Sequence, residues 1–315
     1  MGFGSLLGND RLKANLAESL AKKHISHFYL ISGPEGSGKH TLAKLLAAAI
    51  LCQGSKKPCL SCNPCRKVME GNHPDFITVE DPEHKNVAVK IVRQFREDVF
   101  IRPNESDHKI YLFPQELGLE GQNALLKILE EPPKYGVFIL LTDNPDKLLP
   151  TVRSRCTELK MQALSEDILR KQLSRDFPQA QEDDISAAIF RSGGFLGQAR
   201  QLLQSGDQLP PQTESFVKAF AARDSYLLVQ TLVPMEKWKR DALAQILTSW
   251  QELLESALVS RSGIRAVSAH ARELAQLRPA GELRDAVVIL KKAVEYTQSN
   301  VSPAAVCGYL EWALR

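Results

Sequence analysis

The sequence has 315 residues and an ordinary globular composition: 43% of the residues are hydrophobic, 24% are charged, and the formal net charge is +3. These values exclude a collagen, a coiled-coil rod and a wholly disordered chain, and the charge is too small to indicate nucleic-acid binding by itself. The length favours two or three domains. Residues 1–10 lack the pattern of a signal peptide, and the longest apolar stretch, residues 42–52, is too short to cross a bilayer, so we expect a cytoplasmic protein.

The first 160 residues alternate between short apolar runs and amphipathic segments. Continuous apolar runs predict buried strands at 28–31, 75–79, 109–113 and 137–141. Apolar residues that recur every three to four positions predict helices at 12–20, 41–51, 89–100 and 123–130. Strands that are separated by helices favour a parallel α/β sheet.

The composition changes near Met161, and from there the sequence predicts helices almost throughout. Glycine- and proline-containing breakers lie at 192–194 and 205–212, and later helices are predicted at 216–222, 238–258, 283–296 and 303–314. We therefore expect an α/β domain at 1–160, a small helical domain at 161–209 and a second helical domain at 210–315. The tryptophans of the last domain, Trp238, Trp250 and Trp312, are expected to pack between its helices.

A glycine-rich segment joins the first predicted strand to the helix at 41–51. It reads Gly33-Pro34-Glu35-Gly36-Ser37-Gly38-Lys39, which is typical of a phosphate-binding P-loop. The glycines let backbone N–H groups surround a phosphate, the helix N-terminus adds positive potential, and Lys39 supplies a charge. The alternative is a glycine-rich turn without a ligand. With His40 and Thr41 after it, the segment is the candidate site for ATP or ADP.

Two positions that a hydrolytic P-loop needs for magnesium are altered. A serine or threonine hydroxyl that follows the lysine holds Mg²⁺, but His40 stands there, and Thr41 points about 100° away on the helix. An acidic pair is expected after a later strand, yet Pro114-Gln115 follows the strand at 109–113, with Glu116 one position late. We therefore expect no ATP hydrolysis by this chain alone, while binding of ATP or ADP without hydrolysis stays open.

Four cysteines lie within fourteen residues: Cys52, Cys59, Cys62 and Cys65. Four thiolates can close a tetrahedral Zn²⁺ site with no open position, so the spacing predicts a structural zinc rather than a catalytic one. The alternative is a set of unrelated thiols. Cys156 and Cys307 lie far away in sequence and are expected to be buried without a metal.

The order and spacing of four stretches resemble one family. They are residues 27–39, the four cysteines, the segment 123–133 that ends in Glu130-Glu131-Pro132-Pro133, and Ser154-Arg155-Cys156. With them the chain resembles the clamp-loader subunits of bacterial DNA polymerase III, and within these the delta-prime subunits. The resemblance is specific over residues 6–160 and diffuse beyond them.

The resemblance implies an AAA+ module with the cysteine insertion at 52–65, a helical lid and an all-α collar domain. It also implies a complex with gamma/tau and delta subunits that opens the sliding clamp and places it on primer–template DNA. The gamma/tau subunits are the ATPases of that family. Their lid arginine, in a Gly-x-x-Arg-x-Ala pattern, is replaced here by Gly197, so three departures point to a non-hydrolysing subunit.

Most arginines are solvated surface charges, and Arg155 taken alone would be interpreted as one. The resemblance instead implies that Arg155 is an arginine finger that reaches the ATP site of a neighbouring subunit. Arg153 is then an ordinary surface charge. The pair Glu130-Glu131 is interpreted as a solvated helix end, and the resemblance makes a subunit contact there plausible. Arg93 and Arg96 share one helix face, where they serve either as a polar surface or as contacts to DNA phosphates in an assembled ring.

Two other functions stay open at this point. One is an active ATPase of the gamma/tau type, in which Thr41 and Glu116 restore the magnesium site. The other is a zinc-containing DNA-binding protein with a vestigial P-loop, which the near-balanced charge disfavours.

Overall fold

A computed structural model describes residues 2–84, 86–205, 209–261, 269–299 and 301–314. Packing divides the chain into two compact units, residues 1–179 with 192–201, and residues 180–191 with 202–315. The predicted division at 160 and 209 stays a prediction, since the predicted lid is shared between these units. Residues 206–208 of the predicted breaker lie outside the described residues.

The first unit contains a five-stranded parallel sheet in the order β2-β3-β4-β1-β5. The strands are β1 (Phe28–Ser32), β2 (Phe76–Thr78), β3 (Lys109–Phe113), β4 (Gly136–Thr142) and β5 (Thr157–Lys160). All four predicted strands and their parallel arrangement are confirmed. Strand β5 was not predicted, because it is an edge strand in which only Leu159 is buried.

Seven α-helices lie among the described residues before 180. They are α1 (Asp10–Ala21), α2 (Lys39–Leu51), α3 (Asn63–Glu70), α4 (Val89–Asp98), α5 (Leu119–Glu130), α6 (Pro150–Arg153) and α7 (Glu166–Asp176). The four helices predicted in this region are confirmed within a few residues at their ends. The short helix α3 was not predicted; it starts within the cysteine cluster, and Gly71 ends it with a φ of 79°.

Alternate residues of the buried strands β1, β3 and β4 enter two separate apolar cores, one on each face of the sheet. Ile31, Leu112 and Ile139 belong to the core that includes helix α2. Leu30 and Phe138 belong to the opposite core, with the ring of Phe95 from α4 packed edge-on against Phe138 at 5.9 Å between centroids. Burial on both faces explains why these strands are continuous apolar runs rather than alternating ones.

The remaining helices continue the chain to its last described residues. They are α8 (Glu182–Arg191), α9 (Leu196–Ser205), α10 (Pro211–Ala222), α11 (Ser225–Leu232), α12 (Arg240–Arg261), α13 (Ala269–Leu277), α14 (Ala280–Gln298) and α15 (Pro303–Ala313). No described helix is long and apolar enough to span a membrane. The predicted fold class, an α/β AAA+ module followed by helices, is confirmed.

The second unit has its own core around Trp250. Its indole is fully buried, stacks on Phe216 with 4.1 Å between ring centroids, and donates from Nε1 to Thr213 Oγ1 at 3.0 Å. The packing role expected for the tryptophans holds for Trp250 and for Trp238, which packs partly buried against this core, but is wrong for Trp312, which is 75% exposed on α15.

Candidate functional site

The P-loop connects the carboxyl end of β1 to the first turn of α2. Gly36 and Gly38 have φ values of 74° and 93°, a left-handed backbone that strongly favours glycine. Helix α2 begins at Lys39, directly after this turn. The predicted strand–loop–helix arrangement is therefore present, with Gly33, Gly36, Gly38 and Lys39 brought together.

The Lys39 ammonium is buried and fully engaged by the chain itself. Its Nζ donates to the carbonyl oxygens of Gly33 at 2.6 Å and Pro34 at 2.9 Å, and to Asp143 Oδ1 at 2.6 Å. An ammonium has three protons, so these three acceptors use all of them. A phosphate would have to displace at least one of these partners.

The first turn of α9 also contacts the P-loop. The backbone N–H of Gly197, in the first turn of α9, donates to the carbonyl oxygen of Gly36 at 2.9 Å. A methyl group added at Gly197 would lie 2.5 Å from the Cα of Gly36, closer than two carbon atoms approach in proteins. In this arrangement the P-loop residues do not fit a nucleotide.

His40 and Thr41 do not form a magnesium site in the structure. Burial of its ring and the neighbouring charges of Lys39 and Lys44 lower the pKa of His40, so the imidazole is neutral near pH 7. A neutral imidazole is a poor ligand for Mg²⁺, which prefers oxygen. Thr41 is exposed on α2. The assignment of these two residues to nucleotide binding stays a prediction.

Gln115, which stands where a hydrolytic carboxylate is expected, has a structural role that the sequence did not reveal. Its Oε1 accepts from the backbone N–H of Asp81 at 2.7 Å, and its Nε2 donates to the carbonyl oxygens of Asp81 at 2.8 Å and His84 at 3.0 Å. The amide thus holds residues 81–84 against the end of β3. A carboxylate could not make the two donated bonds.

The carboxyl group of Asp81 reinforces the same loop. It accepts from the backbone of Glu83 and Ala88 and lies 3.0 Å from His84 Nδ1. Burial raises the pKa of Asp81, but the hydrogen bonds outweigh this and leave its pKa below the ordinary value. Asp81 is therefore ionised near pH 7, next to position 115.

Glu116, the residue that could replace the missing carboxylate, is engaged elsewhere. Its Oε1 lies 3.0 Å from Lys147 Nζ. The pair is partly exposed, so it contributes at most about 1 kcal/mol. It nevertheless gives Glu116 a partner other than a metal.

The four cysteine sulfurs converge, as the spacing predicted. The Sγ atoms of Cys52, Cys59, Cys62 and Cys65 all lie within 4.8 Å of one another. A tetrahedral zinc site with Zn–S bonds of about 2.3 Å needs sulfurs about 3.8 Å apart. Cys62 and Cys65 are held by α3, since Cys62 precedes its first residue and Cys65 lies in its first turn.

Hydrogen-bond donors point at two of the four sulfurs, those of Cys52 and Cys59. Backbone N–H groups of Gly54 and Cys59 point at Cys52 Sγ, at 3.3 and 3.4 Å. Hydrogen bonds from Ser61 and from backbone N–H groups lower the pKa of Cys59 to about 5, whereas burial raises the pKa of Cys52 and Cys65. These donors fit a Zn²⁺ ion, which would hold residues 52–65 together and leave no position for a substrate.

Metal analysis of protein purified without chelator should find one zinc ion per chain. Cys62→Ser should release it and raise proteolysis and amide exchange across residues 52–70, because one of four ligands is lost. The sheet should survive, since its second core, on the opposite face, does not involve the cysteines. Cys156→Ser is the matched control, because Cys156 lies outside the cluster and donates to the Val152 carbonyl. Protein that is purified with no zinc would reject the site.

Arg155 lies in the turn between α6 and β5 with a half-exposed side chain. Its Nη1 donates to the Thr151 carbonyl at 2.9 Å, and its Nη2 lies 3.6 Å from Glu130 Oε1 at the end of α5. The structure thus joins two residues that the sequence suggested separately. Cys156, expected to be buried, is only half-buried.

Arg153 differs from Arg155 in its partners rather than in its exposure. The two side chains are 42% and 40% exposed. Arg153 pairs with Asp146 at 2.8 Å and with Glu158 at 3.4 Å, so its charge is used within the chain. This makes Arg153 a matched control for Arg155.

Asp143 and Asp81 are the site residues that sequence reasoning missed. Asp143 follows the buried strand β4, and the carboxyl ends of parallel strands meet at one edge of a sheet, next to the P-loop. The position of Asp143 directly after a buried strand could therefore have predicted its contact with Lys39. Nothing in the local sequence indicated that Asp81 and Gln115 are hydrogen-bonded to each other.

A five-stranded parallel sheet in the order β2-β3-β4-β1-β5, with a P-loop after the inner strand β1, defines this part of the molecule as an AAA+ module. The chain belongs to the family described as DNA polymerase III, delta subunit, whose sequence pattern matches residues 8–165.

Several curated proteins are similar to the chain. DNA polymerase III subunit delta′ of Bacillus subtilis is 34% identical over 184 residues, which cover 58% of this chain and 54% of that protein. Subunit tau of the same organism is 32% identical over 220 residues, covering 66% of this chain and 39% of that protein. The gamma subunit of Buchnera aphidicola from Acyrthosiphon pisum is 27% identical over 270 residues, covering 80% and 74%. The chain spans only about two fifths of the length of the tau and gamma/tau relatives.

Among solved structures, a DNA polymerase III gamma subunit-related protein of Thermotoga maritima covers 96% of this chain and 99% of its own, with a TM-score of 0.49 and 16% identity.

Proposed function

We propose that the chain is a non-hydrolysing, delta-prime-type subunit of the DNA polymerase III clamp loader. It assembles with gamma/tau and delta subunits, and the complex places the sliding clamp on primer–template DNA in the cytoplasm. Its contribution to ATP hydrolysis is Arg155, offered to the ATP site of a neighbouring subunit. Zinc is its structural metal.

The main support for this proposal is that Gln115 stands at the position of a catalytic carboxylate. Hydrolysis needs a carboxylate there to act on the attacking water, and Gln115 is instead a neutral amide that bridges residues 81–84. The position is therefore committed to a structural role. His40 and Gly197, at two other positions of the ATPase pattern, support the same conclusion.

The geometry at Arg155 supports its proposed role in a neighbour's site. The guanidinium is half-exposed and its contact with the Glu130 carboxylate is a surface pair of at most about 1 kcal/mol. A developing charge on a γ-phosphate is a far stronger partner. Arg155 can therefore exchange Glu130 for a phosphate at little cost.

An active ATPase of the gamma/tau type is the second candidate. It is favoured by the longer matches to tau and gamma relatives, 220 and 270 residues against 184 for delta′. It requires Glu116 to leave Lys147 and serve magnesium. ATP turnover by the isolated chain separates the two candidates.

Assembly tests the proposed partners. The full chain, mixed with gamma/tau and delta subunits, should elute as one complex that loads clamps in an ATP-dependent manner. Omission of the chain should abolish loading. A chain that stays separate from both subunits at micromolar concentrations would contradict the proposal.

A further inference from the structure

Hydrogen bonds and an ion pair tie residues 192–201, called here the lid segment, to the rest of the first unit. The Leu164 N–H donates to the Gly194 carbonyl at 2.8 Å. The Arg200 guanidinium lies 2.6 Å from Asp176 Oδ2. Between these two contacts, Gly197 N–H donates to the Gly36 carbonyl of the P-loop at 2.9 Å.

The middle contact tolerates no side chain on either partner. A Cβ at Gly36 would lie 2.5 Å from the backbone nitrogen of Gln198. A Cβ at Gly197 would lie 2.5 Å from the Gly36 Cα and 2.8 Å from its carbonyl oxygen. Both sets of neighbours are backbone atoms, which cannot swing aside as a flexible side chain would. An arginine at 197, as the resemblance implies for the ATPase subunits, is incompatible with this arrangement.

The P-loop is satisfied from its other side as well. The Lys39 ammonium donates its three protons in hydrogen bonds to the carbonyl oxygens of Gly33 and Pro34 and to the Asp143 carboxylate. A phosphate binds such a loop through the lysine and the backbone N–H groups around Gly36. The lysine is thus bonded within the chain, and the backbone of Gly197 and Gln198 covers the face of Gly36 on which a Cβ would stand.

We propose that Gly36 and Gly197 form a backbone latch that holds the lid segment on the P-loop and excludes ATP and ADP from it. The lid segment is then fixed without nucleotide, and the missing side chain at 197 is what permits the contact. The inference rests on the proposed function only in treating the loop as non-catalytic. It goes further, because a non-hydrolysing subunit is free to bind nucleotide.

Two measurements on the full chain test the latch. Titration calorimetry with ATP and with ADP, each with Mg²⁺, should detect no binding to the wild type up to about 1 mM nucleotide. Hydrogen exchange should show residues 33–39 and 192–201 protected without nucleotide. Gly197→Ala should speed exchange in both segments and tighten ADP binding, each by at least roughly tenfold, because the overlap breaks the latch.

Gly118→Ala is the matched control. Gly118 lies in the same unit with a φ of −62°, and an added Cβ meets nothing within 4 Å, so exchange and binding should keep their wild-type values. The wild-type measurements also decide the matter without any variant.

Micromolar binding of ATP or ADP to the wild type would overturn the latch and leave the proposed function standing if no hydrolysis accompanies it. Unchanged exchange and binding in Gly197→Ala would overturn it as well. Faster exchange with no gain in binding would show that the contact does not exclude nucleotide. ATP turnover by the isolated wild type would instead remove the proposed function.

Discussion

Replacement of Arg155 by alanine should leave the chain folded and able to join the loader, yet lower ATP turnover at the neighbouring gamma/tau site by roughly 10³-fold. The reason is that phosphoryl transfer builds charge on the γ-phosphate oxygens, and a guanidinium from the adjacent subunit stabilises it. Within the chain, the substitution removes one weak surface pair with Glu130, so stability should change by less than about 1 kcal/mol. Single-turnover ATPase of the assembled complex measures the effect.

Two further variants make the Arg155 experiment specific. Arg155→Lys should rescue only partly, because an ammonium lacks the planar fork of the guanidinium. Arg153→Ala removes a side chain of similar exposure that is paired within the chain to Asp146 and Glu158, and the complex that contains this variant should hydrolyse ATP and load clamps at the wild-type rate. If the Arg155→Ala complex does the same, Arg155 is a surface charge and the proposed role is wrong.

Restoring the acidic pair should not create an ATPase. The double variant Pro114→Asp/Gln115→Glu still lacks the hydroxyl next to Lys39 and the lid arginine. It also loses the two bonds that Gln115 donates to the carbonyl oxygens of Asp81 and His84, which would then face a carboxylate. We expect no measurable turnover and a loss of about 1–3 kcal/mol in the free energy of unfolding, measured by urea titration.

Glu116→Gln is the control for that loss of stability. It removes only the partly exposed pair with Lys147, so the free energy of unfolding should fall by no more than about 1 kcal/mol. A double variant as stable as the wild type would show that Gln115 does not hold residues 81–84. A fully active double variant would show that the acidic pair was the only defect.

Local sequence signals predicted the elements whose burial or spacing is strong. The strand β3 is fully buried, and its predicted bounds, 109–113, are those observed. The cysteines converge because their spacing brings them together over a short loop. The edge strand β5 was missed because three of its four residues are exposed and carry no apolar run.

Contacts between distant residues account for most of what the sequence did not predict. Gly36 and Gly197 lie far apart in sequence but are hydrogen-bonded in the fold, and nothing near either glycine indicates the other. The role of Gln115 could not be predicted for the same reason. The sequence indicated that a catalytic carboxylate is absent, but the three hydrogen bonds that employ the amide depend on the fold of residues 81–84.

ATP turnover by the isolated full chain, with saturating Mg-ATP, tests the central claim most directly. The account predicts a rate that is indistinguishable from that of Lys39→Ala, which controls for contaminating ATPases. A wild-type rate of about 1 s⁻¹ that Lys39→Ala abolishes would contradict it and assign the chain to the gamma/tau type of ATPase.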